Sequence, residues 1–217
     1  MGALTELAHL ADLGRMTPTV HILILAAGAS TRMRGADKLM EPVGQRPMLR
    51  HIAEEALATG SPVTVTLPPD APARTEALVG LDLRIVRVPD AAHGMSRSLV
   101  RGIAVLLSMA GPMDGVMILP ADMPDLATPA LSDMIAQFRA TPQMILRGGS
   151  GESGAGHPAV FPRDLWPELL TSTGDTGGRT VLQANSGRVR VIPLPGAMAT
   201  LDLDTPEDWA AWRATHP

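Results

Sequence analysis

The amino-acid sequence predicts an α/β fold, in which a mostly parallel central sheet is covered by helices on both faces. Apolar runs of strand length alternate along the chain with longer amphipathic segments, which is the pattern of consecutive strand–helix units. Two of the runs, 20–25 and 115–120, are continuously apolar, as is typical of central parallel strands buried on both sides. The length of 217 residues and the apolar share of 45% are sufficient for one sizeable domain.

The apolar runs of strand length are predicted to form the sheet. In chain order they lie at 20–25, 62–67, 83–88, 115–120, 143–147, 157–161 and 188–194. Ligands of parallel α/β sheets bind beyond the carboxyl ends of the strands. The loops that follow the first and the fourth run should therefore open at the same edge of the sheet, and we expect a ligand site there.

The amphipathic segments between these runs are predicted to be helices, at 47–60, 96–111, 128–140 and 204–214. In the first of them, Leu49, Ile52 and Ala56 recur on one helical face. The last segment begins Asp-Thr-Pro-Glu, a typical helix start. Asp204 is therefore predicted to cap this helix rather than to bind a metal ion.

The chain is predicted to form one domain over residues 18–217, preceded by an N-terminal extension over residues 1–17. Two interpretations of the extension stay open, a short amphipathic helix and an unstructured segment ahead of a true start at Met16. The sequence has no cysteine, which excludes disulfides and thiolate metal sites and favours a cytoplasmic location. The net charge of −4 argues against nucleic acid as a partner, and the lack of a long apolar run argues against a membrane.

The loop after the first strand has the composition of a phosphate-binding segment. It reads LAAGASTRMRGADK over residues 25–38 and contains three cations, Arg32, Arg34 and Lys38. Its small residues let backbone amides approach a ligand, and its cations can place positive charge on that ligand. The loop lacks the Gly-Lys-Ser/Thr of a P-loop and two glycines of the dinucleotide-binding fingerprint. An ordinary turn with solvated cations is the alternative interpretation.

This loop resembles the signature of the nucleotidyltransferases of molybdenum-cofactor biosynthesis, which include molybdenum cofactor guanylyltransferase and cytidylyltransferase. Further segments are similar to that family in type and order: GMSRSL at 94–99, PADMP at 120–124, GHPAVF at 156–161, GDTGGR at 174–179 and DLDTPED at 202–208. The resemblance implies a single Rossmann-like nucleotidyltransferase domain. One residue departs from the pattern, because Arg34 stands where the family usually has glycine. If that position needs a positive φ, Arg34 costs about 1 kcal/mol or more there.

The resemblance implies transfer of a nucleoside monophosphate from a nucleoside triphosphate to the phosphate of molybdopterin, with release of pyrophosphate and Mg²⁺ as the cofactor. An acceptor phosphate is already ionised at neutral pH, so no side chain has to activate it. Members that transfer cytidylate resemble the Leu25-Ala26-Ala27-Gly28 of this chain, whereas members that transfer guanylate have a second glycine in place of Ala27. We therefore expect CTP to be preferred over GTP. A molybdoenzyme is a further partner that the resemblance suggests.

The resemblance also implies roles for individual residues. Catalysis is expected from Arg32, Lys38 and Asp122, and Mg²⁺ binding from Asp122 and Asp202. The nucleotide is expected to contact Leu25, Ala26, Ala27, Gly28, Ser30, Arg32, Lys38, Ser96, Ser98 and Asp122, and the acceptor to contact His157, Asp175 and Arg179. For Ser96 and Ser98, capping of a helix start is an equal alternative. His157 could equally be a buried histidine at a strand end.

Alternative functions stay open at this point. The donor could be GTP, or the acceptor another phosphorylated small molecule. The chain could also be a degenerate module that carries finished cofactor to a molybdoenzyme, which the unusual Arg34 favours. The presence together of Arg32, Lys38, Asp122 and Asp202 favours an enzyme, because a carrier does not need two metal-binding carboxylates.

Overall fold

The computed structural model describes residues 17–150, 154–174 and 177–216. Residues 1–16 of the predicted extension and the predicted acceptor residue Asp175 lie outside these ranges. The strands are β1 (Val20–Leu25), β2 (Pro42–Val43), β3 (Arg46–Pro47), β4 (Val63–Leu67), β5 (Arg84–Arg87), β6 (Gly115–Pro120), β7 (Ile145–Ser150), β8 (Gly154–Pro162) and β9 (Val189–Pro193). The α-helices are α1 (Met48–Leu57), α2 (Pro72–Ala77), α3 (Met95–Leu107), α4 (Thr128–Ala140), α5 (Trp166–Leu169), α6 (Arg179–Ala184) and α7 (Pro206–Thr215).

The central sheet has seven strands in the order β5-β4-β1-β6-β8-β7-β9, and β2 and β3 form a separate hairpin. The predicted parallel arrangement is confirmed for most of the sheet. β8 is the exception, because it pairs antiparallel with both β6 and β7. β7 and β8 extend into the glycine-rich stretch 147–156, so the segment that connects them is too short for the crossover that parallel strands need.

Helices cover both faces of the sheet, as predicted. β1 shows the division, because Ile22 and Ile24 belong to one hydrophobic cluster and Leu23 to the other. The first cluster contains buried residues of α1, α4 and α7, and the second contains buried residues of α3, α5 and α6. The two layers are the reason why the central strands are continuously apolar rather than alternating.

Two tryptophans anchor α7 to the rest of the domain. Trp209 is 1% exposed, and Trp212 donates a hydrogen bond from its Nε1 to Asp125 Oδ1 at 2.8 Å. Truncation of a buried tryptophan typically costs about 3–5 kcal/mol, so this attachment is strong. It fixes the start of α7 close to the segment that follows β6.

The predicted role of Asp204 as a helix cap is wrong. The cap of α7 is Thr205, whose Oγ1 accepts a hydrogen bond from the Asp208 N–H at 3.2 Å, while the Thr205 N–H donates to Asp208 Oδ2 at 2.8 Å. This reciprocal pair is a capping box, a motif that the spacing of Thr205 and Asp208 contains. The side chain of Asp204 is therefore not needed at the helix start.

No α-helix in the described part of the chain combines the length and the apolar character that crossing a membrane requires.

Candidate active site

The candidate site lies at the carboxyl ends of β1 and β6, where the sequence places it. Leu25 and Pro120 end these two neighbouring strands in register. The Leu203 N–H donates to the Asp122 carbonyl oxygen at 3.0 Å, which brings the segment before α7 to the same edge. The loop after β1, the residues after β6 and the residues before α7 therefore meet at one place.

A cavity of about 600 Å³ opens between these segments. Eight of the ten residues predicted to contact the nucleotide line it: Leu25, Ala26, Ala27, Gly28, Ser30, Arg32, Lys38 and Asp122. Residues 91–95, which precede and begin α3, form another wall, and of these only Gly94 and Met95 belong to a segment identified from the sequence, GMSRSL. The N–H groups of Ala27, Gly28 and Ala29 make no hydrogen bond within the described ranges, so they are available to an anionic ligand.

Ser96 and Ser98 do not line this cavity. Both lie on the buried side of α3 and are 1% and 4% exposed. The alternative interpretation of these serines as helix caps is wrong, because Gly94 is the N-cap of α3 and no side chain bonds there. Neither serine is therefore included in the site proposed below.

A buried arginine, Arg74, stabilises the loop after β1 through hydrogen bonds to Asp37 and Ala26. Arg74 of α2 is 5% exposed and donates to Asp37 Oδ2 at 2.7 Å, to Asp37 Oδ1 at 2.8 Å and to the Ala26 carbonyl oxygen at 2.7 Å. Ser30 joins the same group, because its Oγ donates to Asp37 at 3.1 Å. Burial would raise the pKa of the Asp37 carboxyl, but the hydrogen bonds and charge of Arg74 lower it below its ordinary value. The sequence offers no signal for Arg74, because it lies far from the loop in the chain.

Arg34 adopts the conformation that the family's glycine would permit. Its φ is 54°, and that of the following Gly35 is 98°, so the turn occupies the left-handed region at both positions. A side chain in this region costs about 1–2 kcal/mol. The Arg34 guanidinium donates to Glu207 Oε1 at 2.6 Å, which links the loop to the start of α7. Both side chains are largely exposed, so this ion pair contributes little to stability.

Four charged side chains meet beside the cavity. Lys38 Nζ donates to Asp122 Oδ2 and, at 2.7 Å, to Asp204 Oδ1. Arg32 Nη2 lies 2.7 Å from Asp204 Oδ2. Lys38, Asp122 and Asp204 have side chains that are only 13–15% exposed, whereas the Arg32 side chain is 66% exposed. The structure thus brings together the three residues predicted to be catalytic and adds Asp204 to them.

The charges of this cluster stabilise one another. Burial would lower the pKa of the Lys38 ammonium, but the charges and hydrogen bonds of Asp122 and Asp204 raise it above its ordinary value. Burial would raise the pKa of Asp204, but Lys38 and Arg32 lower it. For the neighbouring Asp202, partial burial and the negative charges of Asp204 and Asp122 all raise the pKa. With Asp202 included, three carboxylates face the two cations Lys38 and Arg32, so the group has one more negative than positive charge.

The donor set fits a divalent metal ion. One carboxylate oxygen from each of Asp122, Asp202 and Asp204 lies within 4.8 Å of the other two. The remaining oxygen of Asp122, Oδ1, is buried and has no hydrogen-bond partner among the described residues. Hard divalent cations prefer carboxylate oxygens and commonly combine one or two of them with substrate phosphates. The sequence pointed to Asp122 and Asp202, and the structure adds Asp204 as a third possible ligand.

A second cavity of about 710 Å³ adjoins the first, with Leu25 and Met95 lining both. His157 and Arg179, two of the residues predicted to contact the acceptor, line it together with Arg147 of β7. Burial and the nearby charge of Arg147 lower the pKa of His157, although Asp122 partly opposes this. No motif in the sequence singles out Arg147, which ends a short apolar run and begins the glycine-rich stretch.

The chain matches the family described as the MobA-like NTP transferase domain over residues 22–189, more than three quarters of its length. It is 26% identical over 204 residues to nicotine blue oxidoreductase of Paenarthrobacter nicotinovorans, a match that covers 88% of this chain and 94% of that protein. It is 30% identical over 125 residues to bifunctional protein GlmU of Leifsonia xyli subsp. xyli, covering 55% of this chain and only 25% of GlmU. The chain thus spans about a quarter of that relative.

Among solved structures, Rv0371c from Mycobacterium tuberculosis H37Rv in complex with manganese superposes with a TM-score of 0.71 at 26% identity, covering 89% of this chain and 97% of that one. A divalent metal ion is thus present with a relative of the same fold. The match to the family includes the loop after β1, the end of β6 and strands β7 and β8. The chain therefore belongs to the family of MobA-like NTP transferase domains and is a nucleotidyltransferase.

Proposed function

We propose that this nucleotidyltransferase transfers CMP from CTP to the phosphate of a molybdopterin-type acceptor, with Mg²⁺ as its metal ion and release of pyrophosphate. The observation that carries the proposal is the position of the charged cluster of Arg32, Lys38, Asp122 and Asp204. It lies beside a cavity lined by the loop after β1, and a second cavity adjoins that one at Leu25 and Met95. A nucleotide in the first cavity and an acceptor in the second could present their phosphates to the same charged groups.

In the proposed reaction, an acceptor phosphate oxygen attacks the α-phosphorus of CTP. The new oxygen–phosphorus bond forms as the bond from the α-phosphorus to the β-phosphate oxygen breaks, and pyrophosphate leaves with that electron pair. The protein's work is to hold both anionic reactants in line and to compensate the charge that develops. No proton has to be transferred, since the nucleophile is an ionised phosphate.

The residues of the cluster would divide this work. Asp122 and Asp204, with Asp202 next to them, would hold Mg²⁺, which supplies positive charge to phosphate oxygens when bound. Arg32, with its exposed side chain, would contact the phosphates that become pyrophosphate, and Lys38 would contact the α-phosphate. The N–H groups of Ala27, Gly28 and Ala29, which make no hydrogen bond within the described ranges, would donate to the nucleotide.

The cations of the site are paired with its carboxylates. Lys38 bonds to Asp122 and Asp204, and Arg32 bonds to Asp204. Binding of the metal ion and the triphosphate would exchange these partners, since the carboxylates would turn to the metal ion and the cations to the phosphates. We therefore expect metal ion and nucleotide to bind more tightly together than either binds alone.

The experiment that tests the proposal measures pyrophosphate release with purified protein and molybdopterin. CTP or GTP is added, each with and without Mg²⁺, and a Lys38→Met variant serves as the inactive control. We expect release with CTP, Mg²⁺ and acceptor together, and a loss of at least about 100-fold in the variant. Release with GTP in preference to CTP would reverse the choice of donor. Cofactor binding without release from either nucleotide would instead support the carrier module.

A further inference from the structure

The second cavity has an unusual balance of charge. Two arginines, Arg147 and Arg179, line it, and none of its described lining residues is acidic. Neither guanidinium forms an ion pair with a carboxylate in the part of the chain that the structure describes. Burial and the positive charge of Arg179 both lower the pKa of Arg147, so the two cations are close enough to repel each other. Two neighbouring cations without an acidic partner are a favourable place for an anion.

Arg147 is held in place by backbone carbonyl groups rather than by charge. Its Nη2 donates to the Ala155 carbonyl oxygen at 2.7 Å, and its Nε donates to the Gly156 carbonyl oxygen at 3.3 Å. These bonds fix the plane of the guanidinium, and no carboxylate among the described residues forms an ion pair with it. Its remaining N–H groups are suited to a fork-like contact with a carboxylate or phosphate.

The walls of the cavity around these cations are mostly apolar. They include Leu25, Leu99, Ile118, Phe161 and Leu182. An apolar cavity with a few fixed polar groups is typical of a site for an organic ligand whose orientation is set by those groups. A ligand that fits this cavity therefore has an apolar or flat body and an anionic group.

The arginine pair is displaced from the cluster where the reaction would occur. β8 lies between β7, which carries Arg147, and β6, which leads to Asp122. Ala159 of β8 pairs with Arg147 on one side and with Ile118 of β6 on the other. Neighbouring strands are about 4.8 Å apart, so the Arg147 backbone lies about 10 Å across the sheet from β6. Arg147 and Arg179 line the second cavity and not the first, whereas Lys38, Asp122 and Asp204 line the first and not the second.

We propose that Arg147 and Arg179 form a second anion-binding subsite, and that the acceptor carries an anionic group there in addition to the phosphate that attacks the nucleotide. This inference rests on the proposed function, which places the acceptor in the second cavity, and it goes beyond it by stating what the acceptor must carry. Acceptors with a single phosphate should bind more weakly than those with a second anion at the matching distance.

The test compares two probes by calorimetry on the full chain, 2-naphthyl phosphate and 6-carboxy-2-naphthyl phosphate. They share a flat apolar body and one phosphate, and the second probe adds a carboxylate at the far end. A charge-assisted contact gives the carboxylate a gain of about 10-fold or more in affinity in the wild-type protein. In Arg147→Gln and in Arg179→Gln this gain should fall below about 3-fold.

Arg84→Gln is the matched control, because Arg84 is an exposed arginine on β5 at the opposite edge of the sheet. It should keep the full carboxylate gain. Arg179 is exposed, so Arg179→Gln remains informative even if Arg147→Gln impairs folding. Equal affinity of the wild-type protein for both probes overturns the subsite, and so does a carboxylate gain that survives in both variants. Because no turnover is measured, the subsite can fail while CMP transfer holds, and CMP transfer can fail while the subsite holds.

Discussion

Among single residues, Asp204 most changes the interpretation of the site. It accepts a hydrogen bond from Lys38 and forms an ion pair with Arg32. One of its carboxylate oxygens also lies close enough to one of Asp122 for both to bind the same metal ion. We expect Asp204→Asn to reduce kcat by at least about 100-fold and to weaken Mn²⁺ binding, since an amide keeps the shape and loses the charge. Titration of Mn²⁺ by electron paramagnetic resonance measures the second effect without turnover. Asp208→Asn, on the same helix start, is the control, and equal metal affinity in Asp204→Asn and wild type would contradict the role.

Ala27 is expected to help select the base. It lines the first cavity and is 5% exposed, so under the proposed function its methyl group would limit the space for the base. One methyl group in a tight pocket is worth about 1–3 kcal/mol, or about 10- to 200-fold. We predict a wild-type preference for CTP that Ala27→Gly narrows by admitting GTP. The ratio of kcat/KM for CTP to that for GTP measures the preference in both proteins. An unchanged ratio in Ala27→Gly would refute this explanation.

Gly28 allows the ligand space to be tested separately from the fold. A Cβ added there would meet no atom of the described residues within 4 Å, and the φ of Gly28 is not in the left-handed region. Gly28→Ala should therefore leave the melting temperature unchanged and raise KM for the nucleotide by about 10-fold, because the methyl group would enter the space proposed for the triphosphate. Thermal unfolding and steady-state kinetics measure the two effects. A normal KM would show that the nucleotide does not approach this segment.

At the level of elements, the loop after β1 depends on α2 through Arg74 and Asp37. The pKa of Asp37 is lowered in the folded protein, so its contribution to stability is present above its unfolded pKa of about 4 and is lost as the pH falls through the folded value. Asp37→Asn should cost about 3–5 kcal/mol at pH 7, because it leaves the buried Arg74 without a counter-charge. The gap in unfolding free energy between wild type and variant should narrow as the pH falls below the unfolded pKa of about 4. Urea unfolding at several pH values measures the two unfolding free energies. A difference between them that does not change with pH would mean that the Asp37 carboxylate is not the stabilising group.

The elements also show what the sequence could and could not predict. The central strands, the large helices and the loop with Asp122 were predictable, because apolar periodicity and short motifs are local in sequence. The roles of Arg74 and Arg147 were not predictable, because Arg74 lies on α2 and Arg147 on β7, and only the fold brings these elements to the site. Asp204 was misassigned because the Asp and Thr at the start of α7 are both good caps, and the capping box with Asp208 decides for Thr205.

For the whole molecule, the central claim is that the cavity lined by the charged cluster holds a nucleotide and that the adjoining cavity holds a phosphorylated acceptor. The most direct test identifies the product by mass spectrometry after incubation of the protein with CTP, Mg²⁺ and molybdopterin. The account predicts an acceptor whose mass has increased by one CMP unit, formed with one pyrophosphate, and lost by at least about 100-fold in Asp122→Asn. An unmodified acceptor in the presence of intact CTP, or a cytidylylated product formed equally well by Asp122→Asn, would contradict it.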